Sequence, residues 1–152
     1  MTETVTLAFL HHAAAFVIVG VLTAELVLLK GELTLVSARS VLRIDAAYGI
    51  AAVVLLVVGF LRVLYTEKGS AYYFHSGPFV VKLTLFLVVG LLSIYPTLQF
   101  LSWRGALRQG HLPRFDAAVR RRVRIVVHAE LTLLFVVMLC AAMMARGIGY
   151  FG

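Results

Sequence analysis

Eight side chains with acid–base or ligand chemistry lie in or at the ends of four long apolar runs. They are His11, His12 and Glu25 in the first run, Arg62 in the second, Lys82 in the third, and His128, Glu130 and Arg146 in the fourth. A charge in hydrocarbon costs about 2.5–3.5 kcal/mol per residue even on a lenient insertion scale. A chain that keeps so many points to a use for them. Imidazole can ligate haem iron or carry a proton, Lys and Arg can anchor carboxylates, and interior carboxyls with a tyrosine can pass protons. His11, Arg62 and Lys82 are therefore the candidate binding residues, and Lys82 and Glu130 the candidates for a catalytic role. Glu25, Asp45, Tyr48 and Glu130 are candidates for an interior polar relay.

The elements that must position these groups follow from composition. The chain has 152 residues, 62% hydrophobic and only 14% charged, whereas soluble domains carry about a quarter charged residues. Apolar runs of about 18 residues or more read as membrane spans. Four are present, at about 7–29, 44–65, 79–103 and 123–146. They leave no room for a soluble domain, so residues 1–152 form a single transmembrane domain. The expected fold is all-α, an up-and-down bundle of four spanning helices. The start, MTETVT, has no Lys or Arg, which argues against a cleaved signal peptide. Cys140 is the one cysteine, and its apolar neighbours suit a small buried hydrophobe rather than a reactive thiol.

Charge sets the orientation. Arg104, Arg108, Arg114, Arg120, Arg121, Arg122 and Arg124 lie between spans 3 and 4, and Lys30, Arg39 and Arg43 lie between spans 1 and 2. The connection between spans 2 and 3 has only Lys68. Basic loops mark the cytoplasm, so both termini are expected on the outer, periplasmic side of a bacterial inner (cytoplasmic) membrane. The arginine cluster is expected to meet anionic lipids. It has no accompanying recognition motif for nucleic acid. Tyr72, Tyr73 and Phe74 are expected at the outer interface. Pro78 is expected in the first turn of span 3, and Pro96 is expected to kink that span.

With this orientation, depth separates two polar levels. The outer level holds His11, His12, Arg62, Tyr65, Lys82 and Arg146, with His75 in the loop above. The inner level holds Glu25, Asp45, Tyr48, His128 and Glu130. At about 100° per residue, His11 and Glu25 share one face with Ile18 and Leu22 between them. Tyr48, Ala52, Gly59 and Arg62 form a stripe on span 2 with Asp45 beside it, although Asp45 could instead cap that helix. Lys82, Val89, Ser93 and Pro96 align on span 3. On span 4, His128 and Glu130 fall on nearly opposite faces. The cost of a lipid-facing carboxylate favours Glu130 inward.

Histidines in helix bundles commonly hold haem iron, and nearby cations neutralise its propionates. His11 as a ligand to a b-type haem, with Arg62 and Lys82 on the carboxylates, is coherent with the depths. A pair of His11 with His128 is not, because their levels differ by roughly 15 Å. His75, His12 or Lys82 would have to serve as a second ligand, if there is one. Rival readings use the same groups for helix pairing in an accessory or assembly protein, or for a small transporter with a proton path. The latter would call for a homo-oligomer, since four helices enclose little lumen.

The chain resembles a bacterial family of four-helix predicted membrane proteins. The matching pieces are Leu10-His11-His12, Ala24-Glu25-Leu26, Asp45-Ala-Ala-Tyr48-Gly49-Ile50, Arg62 with Tyr65, Lys82, Pro96, Glu130 and Ala145-Arg146-Gly147. More remotely it is similar to HemJ, the membrane protoporphyrinogen oxidase family, through Leu10-His11, Lys82 and Tyr48-Gly49-Ile50. That resemblance implies a four-helix membrane fold and a haem- or porphyrin-binding redox protein. The second-helix histidine of HemJ is absent here, and its third-helix histidine position is Val80. The likeness therefore speaks for the fold before the reaction.

Overall fold

The computed structural model describes residues 2–65 and 75–149, with side chains from residue 4. Four long helices dominate: α1 (Thr2–Lys30), α2 (Leu35–Tyr65), α3 (Gly77–Ser102) and α5 (Ala117–Ala145), with a short α4 (Arg104–Arg108) between the last two. Each long helix is apolar and long enough to span a membrane. The shortest, at 26 residues, is roughly 39 Å long, against a hydrocarbon layer of about 30 Å. The expected interface residues Tyr72, Tyr73 and Phe74, and Lys68 with them, lie outside the described residues.

Local chemistry sets where each helix starts and stops. Thr34 and Ser37 cap α2 reciprocally: the Ser37 N–H donates to Thr34 Oγ1 at 3.1 Å, and the Thr34 N–H donates to Ser37 Oγ at 2.8 Å. This satisfies two donors that a helix start leaves unpaired. Pro78 sits in the first turn of α3, as expected. Helix α3 continues through Pro96 as one element. At the end of α5, Gly147 adopts φ +70°. The Ile148 N–H then reaches the Met143 carbonyl, and the Gly147 N–H the Met144 carbonyl, each at 3.1 Å. This is a Schellman stop, whose left-handed residue favours glycine.

All four long helices begin before the apolar runs, α2 and α5 by the most. α2 starts at Leu35 and α5 at Ala117, because polar turns carrying Arg39, Arg43 and Arg120–Arg122 continue the same helices beyond the hydrocarbon. Asp45 is therefore ten residues inside α2 and buried, so the expectation that it caps the helix fails.

Long-range contacts fix the up-and-down order. His11 lies against Gly59, and the Gly77 N–H donates to the Gly149 carbonyl at 3.1 Å. That end of the bundle, which also carries the described ends of the chain, is the terminal pole. At the opposite, arginine pole, Arg39 Nη2 donates to the Leu107 carbonyl and Arg120 Nη1 to the Gly31 carbonyl, both at 3.4 Å. Helix α1 packs along α2 and α3 along α5; α1 also meets α5, while α2 and α3 touch sparsely. The bundle is thus two helix pairs laid against each other.

The arginine pole is packed solid. Ala38, Val41, Phe100, Trp103, Leu107, Val123 and Val127 are all buried there. Trp103 meets Phe100 and Phe115 edge-on, with ring centroids 5.1 and 4.9 Å away, an arrangement that suits the charge distribution of aromatic rings.

Candidate functional site

At the terminal pole the two helix pairs separate around a cavity with two lobes. The smaller, of about 140 Å³, lies between α2 and α3 and is walled by Leu55, Leu56, Gly59, Phe60, Arg62, Val63, Phe79, Lys82, Leu83 and Phe86. The larger, of about 450 Å³, runs between α1 and α5 along His11, His12, Ala15, Ile18, Leu134, Val137, Met138 and Ala141. His11, Leu55, Arg62, Lys82, Phe86, Val137 and Met144 line both lobes, so they form one cleft. Binding cavities for small organic molecules run about 300–1,000 Å³, a range that includes the larger lobe.

The sequence-level grouping of His11, Arg62 and Lys82 thus coincides with one cavity wall, contributed by three helices. His11 rests on Gly59, where a side-chain carbon would come within 3.4 Å of the imidazole Cε1. The absence of a side chain lets the ring lie close to the α2 backbone, near the Leu55 carbonyl. Its Nδ1 is buried and has no hydrogen-bond partner among the described residues. It is enclosed against Gly59 on α2 rather than open to the cavity. The Lys82 ammonium lies 5.3 Å from the centre of the Phe79 ring. This cation–π contact holds the cation at the cavity edge.

Other outer-level candidates are not brought together. His12 is exposed and its Nδ1 lies 2.6 Å from the Ala8 carbonyl of its own helix, although the side chain borders the larger lobe. His75, Tyr65 and Arg146 are exposed and line neither lobe. Depth alone puts Arg146 at this level, but its position beyond the end of α5 turns it away.

The inner level is enclosed rather than hollow. Glu25, Asp45 and Glu130 are buried, with only 2%, 7% and 1% of their surfaces exposed. Each comes from a different helix, and α3 supplies the polar complement. Thr97 Oγ1 donates to Asp45 Oδ1 at 2.8 Å, and Tyr48 lies beside Ser93. Glu25 and Glu130 each leave Oε1 buried without a partner among the described residues. Among the same residues no three His, Cys, Asp or Glu side chains form a metal site. Glu130 points inward, the orientation that its cost in lipid favoured over His128. His128 is exposed and its Nδ1 lies 2.8 Å from the Arg124 carbonyl.

An apolar layer separates the two levels. Ile18 and Leu134 line the deep end of the larger lobe, and they are buried together with Leu22 and Val89. Residues that sequence reasoning missed include Thr97, Phe79, Phe86 and Met144. Thr97 lies one helical turn from Ser93, on the face already marked by Lys82 and Val89, so periodicity could have found it. Nothing in the sequence shows that the helix pairs part.

Four long apolar helices around a basic cleft define the class: a small polytopic α-helical membrane protein. The chain matches the family model described as Predicted membrane protein (DUF2214) over residues 3–149, and it belongs to that family. No match is found among the curated proteins or the solved structures.

Proposed function

We propose that the terminal-pole cleft binds a flat, apolar molecule bearing carboxylates, a porphyrin or haem b, in the bacterial inner membrane. The observation that carries this reading is the shared cavity wall. It joins one imidazole to two cations, in surroundings otherwise made of Leu, Val, Phe and Met. A cleft between two helix pairs suits a planar body, and Arg62 and Lys82 suit two acidic groups. The positive-inside rule assigns the arginine pole to the cytoplasm, against anionic lipid, and the cleft to the periplasmic side.

Haem asks for an iron ligand and for counter-charges to its propionates, and the donor set meets both demands. One imidazole faces the cleft with a backbone carbonyl near its ring, as metal-ligating histidines usually have. Two cations stand in the same wall for two propionates. The residues therefore fit a haem held by one protein ligand, His11, with Arg62 and Lys82 as its carboxylate anchors. When bound, such a group supplies one-electron chemistry. The HemJ-like Leu10-His11 and Lys82 agree with this reading. Glu130 and Glu25 lie beyond the Ile18–Leu134 layer, so their role in proton movement is separate from contact with the ligand. The same layer weakens the rival reading of a continuous proton path through the bundle.

Titration of the purified protein with haemin and with protoporphyrin IX tests the proposal. Saturable binding is expected, with a Soret band that shifts on haemin binding in the wild type and not in His11→Ala. Replacing either Arg62 or Lys82 by Gln should weaken binding about 10–100-fold, since each charge-assisted bond is worth about 1.5–3 kcal/mol. Absence of saturable binding by either compound overturns the reading.

A further inference from the structure

The cleft reaches the outside of the bundle at a place where the surroundings are hydrocarbon. Leu56, Phe60 and Leu83 line its smaller lobe, yet they are 42%, 53% and 38% exposed on the helix exterior. Leu56 is roughly 13 Å along the axis from the Tyr65 end of α2, and Leu83 roughly 9 Å from the Gly77 start of α3. Both positions fall within the apolar thickness of a bilayer. The opening lies in the seam where α2 and α3 touch sparsely, and the exposed residues that frame it are all apolar. The cations lie closer to the pole: Arg62 is three residues from the end of α2, and Lys82 five from the start of α3. Deeper in the cleft, Leu55, Phe86 and Val137 are apolar.

We propose that the ligand reaches the cleft sideways, out of the membrane leaflet at the terminal pole, through the α2–α3 seam between Leu56, Phe60 and Leu83. It is therefore a membrane-dissolved amphiphile. This rests on the binding reading above and adds the source of the ligand and its route. An amphiphile in that leaflet already lies with its acidic end at headgroup level and its body in hydrocarbon. The cleft repeats that arrangement, cations toward the pole and apolar walls below. The molecule can slide across without inverting and without exposing its body to water, which is the costly step in any aqueous route. The larger lobe also reaches the surface, beside His12 and Met138 on the α1–α5 side. There the frame includes an imidazole, and α1 and α5 are in closer contact than α2 and α3.

The test uses the full chain in phosphatidylcholine proteoliposomes whose lipid carries protoporphyrin IX, with the rate of uptake followed by porphyrin fluorescence. Leu56→Trp combined with Leu83→Trp should slow uptake about tenfold, because narrowing an access route acts on the association rate. Equilibrium affinity in detergent is measured on the same variants, and the fall in association rate should exceed any fall in affinity, because a narrowed route slows entry and exit alike. Leu139→Trp, on the exposed face of α5 and outside both lobes, should leave the rate unchanged. A second version avoids any effect on folding: Leu56→Cys is labelled with a bulky maleimide after purification, which the buried Cys140 permits. An unchanged rate in the seam variants, or equal slowing in Leu139→Trp, overturns the lateral route while leaving binding intact. Loss of saturable binding in detergent by the wild type would overturn the parent reading instead.

Discussion

The two poles of this bundle solve opposite problems with the same four helices. At the arginine pole, Trp103, Phe100 and Phe115 interlock with Val41, Val123 and Val127 and fill the space between the helices. At the terminal pole the helix pairs part, and His11, Arg62 and Lys82 line both lobes of the resulting cleft, with His12 beside the larger one. In a membrane, water-avoidance does not drive helices together, so packing and hydrogen bonding must. One pole supplies that packing, which frees the other to stay open. Stability and binding are thus assigned to different ends, with a sealed carboxyl layer between them.

Variants can break this contrast, and the largest effect is expected at the solid pole. Trp103→Ala should destabilise the protein by about 3–5 kcal/mol, measured by reversible unfolding in mixed micelles. A loss below about 1 kcal/mol would mean that the aromatic cluster is not the anchor. Next in size is Gly149→Ala. Gly149 has φ +79°, and a side-chain carbon there would lie 2.8 Å from Pro78 Cδ. A cost of about 2 kcal/mol is expected from the left-handed conformation and the clash, with faster hydrogen exchange at the Gly77 amide. Preserved exchange protection at Gly77 would show that the contact between the two segments is not the constraint.

Between the poles, Glu130→Met should be neutral or up to about 2 kcal/mol stabilising, since an apolar side chain replaces a desolvated carboxyl that leaves one oxygen unpartnered. A loss above about 2 kcal/mol would reveal that the carboxyl is fully engaged in the folded protein. The smallest effect should distinguish the poles directly. Val127→Ala, in the solid pole, is expected to cost about 1–2 kcal/mol, and Val137→Ala, in the cleft wall, about 0.5 kcal/mol or less. Equal costs would erase the distinction.

Much of this arrangement is legible in the sequence. The spans follow from apolar length, and the His11–Ile18–Leu22–Glu25 face follows from helical phase. The inward choice of Glu130 over His128 follows from the energetic penalty for a carboxylate in lipid. Asp45 reads as a possible cap only because the apolar run begins beside it. The Thr34–Ser37 signal that starts α2 lies about ten residues earlier, in a polar stretch that hydropathy ignores. Depth groups Arg146 with residues it does not meet, because depth carries no information on how the chain turns once a helix has ended. The cleft itself is invisible at the level of sequence: it depends on how far two helix pairs diverge, which is a property of tertiary packing and not of any one helix.

Trp103 is the only tryptophan in the chain, and it sits in the solid pole. Its intrinsic fluorescence is therefore a built-in thermometer for that pole alone. Lys82 lies 21 residues earlier along the same polypeptide, roughly 30 Å away along the helix axis. A bound chromophore can quench this emission only across space, while melting of the aromatic cluster changes it by contact. One optical signal can thus follow occupancy and unfolding without an added label.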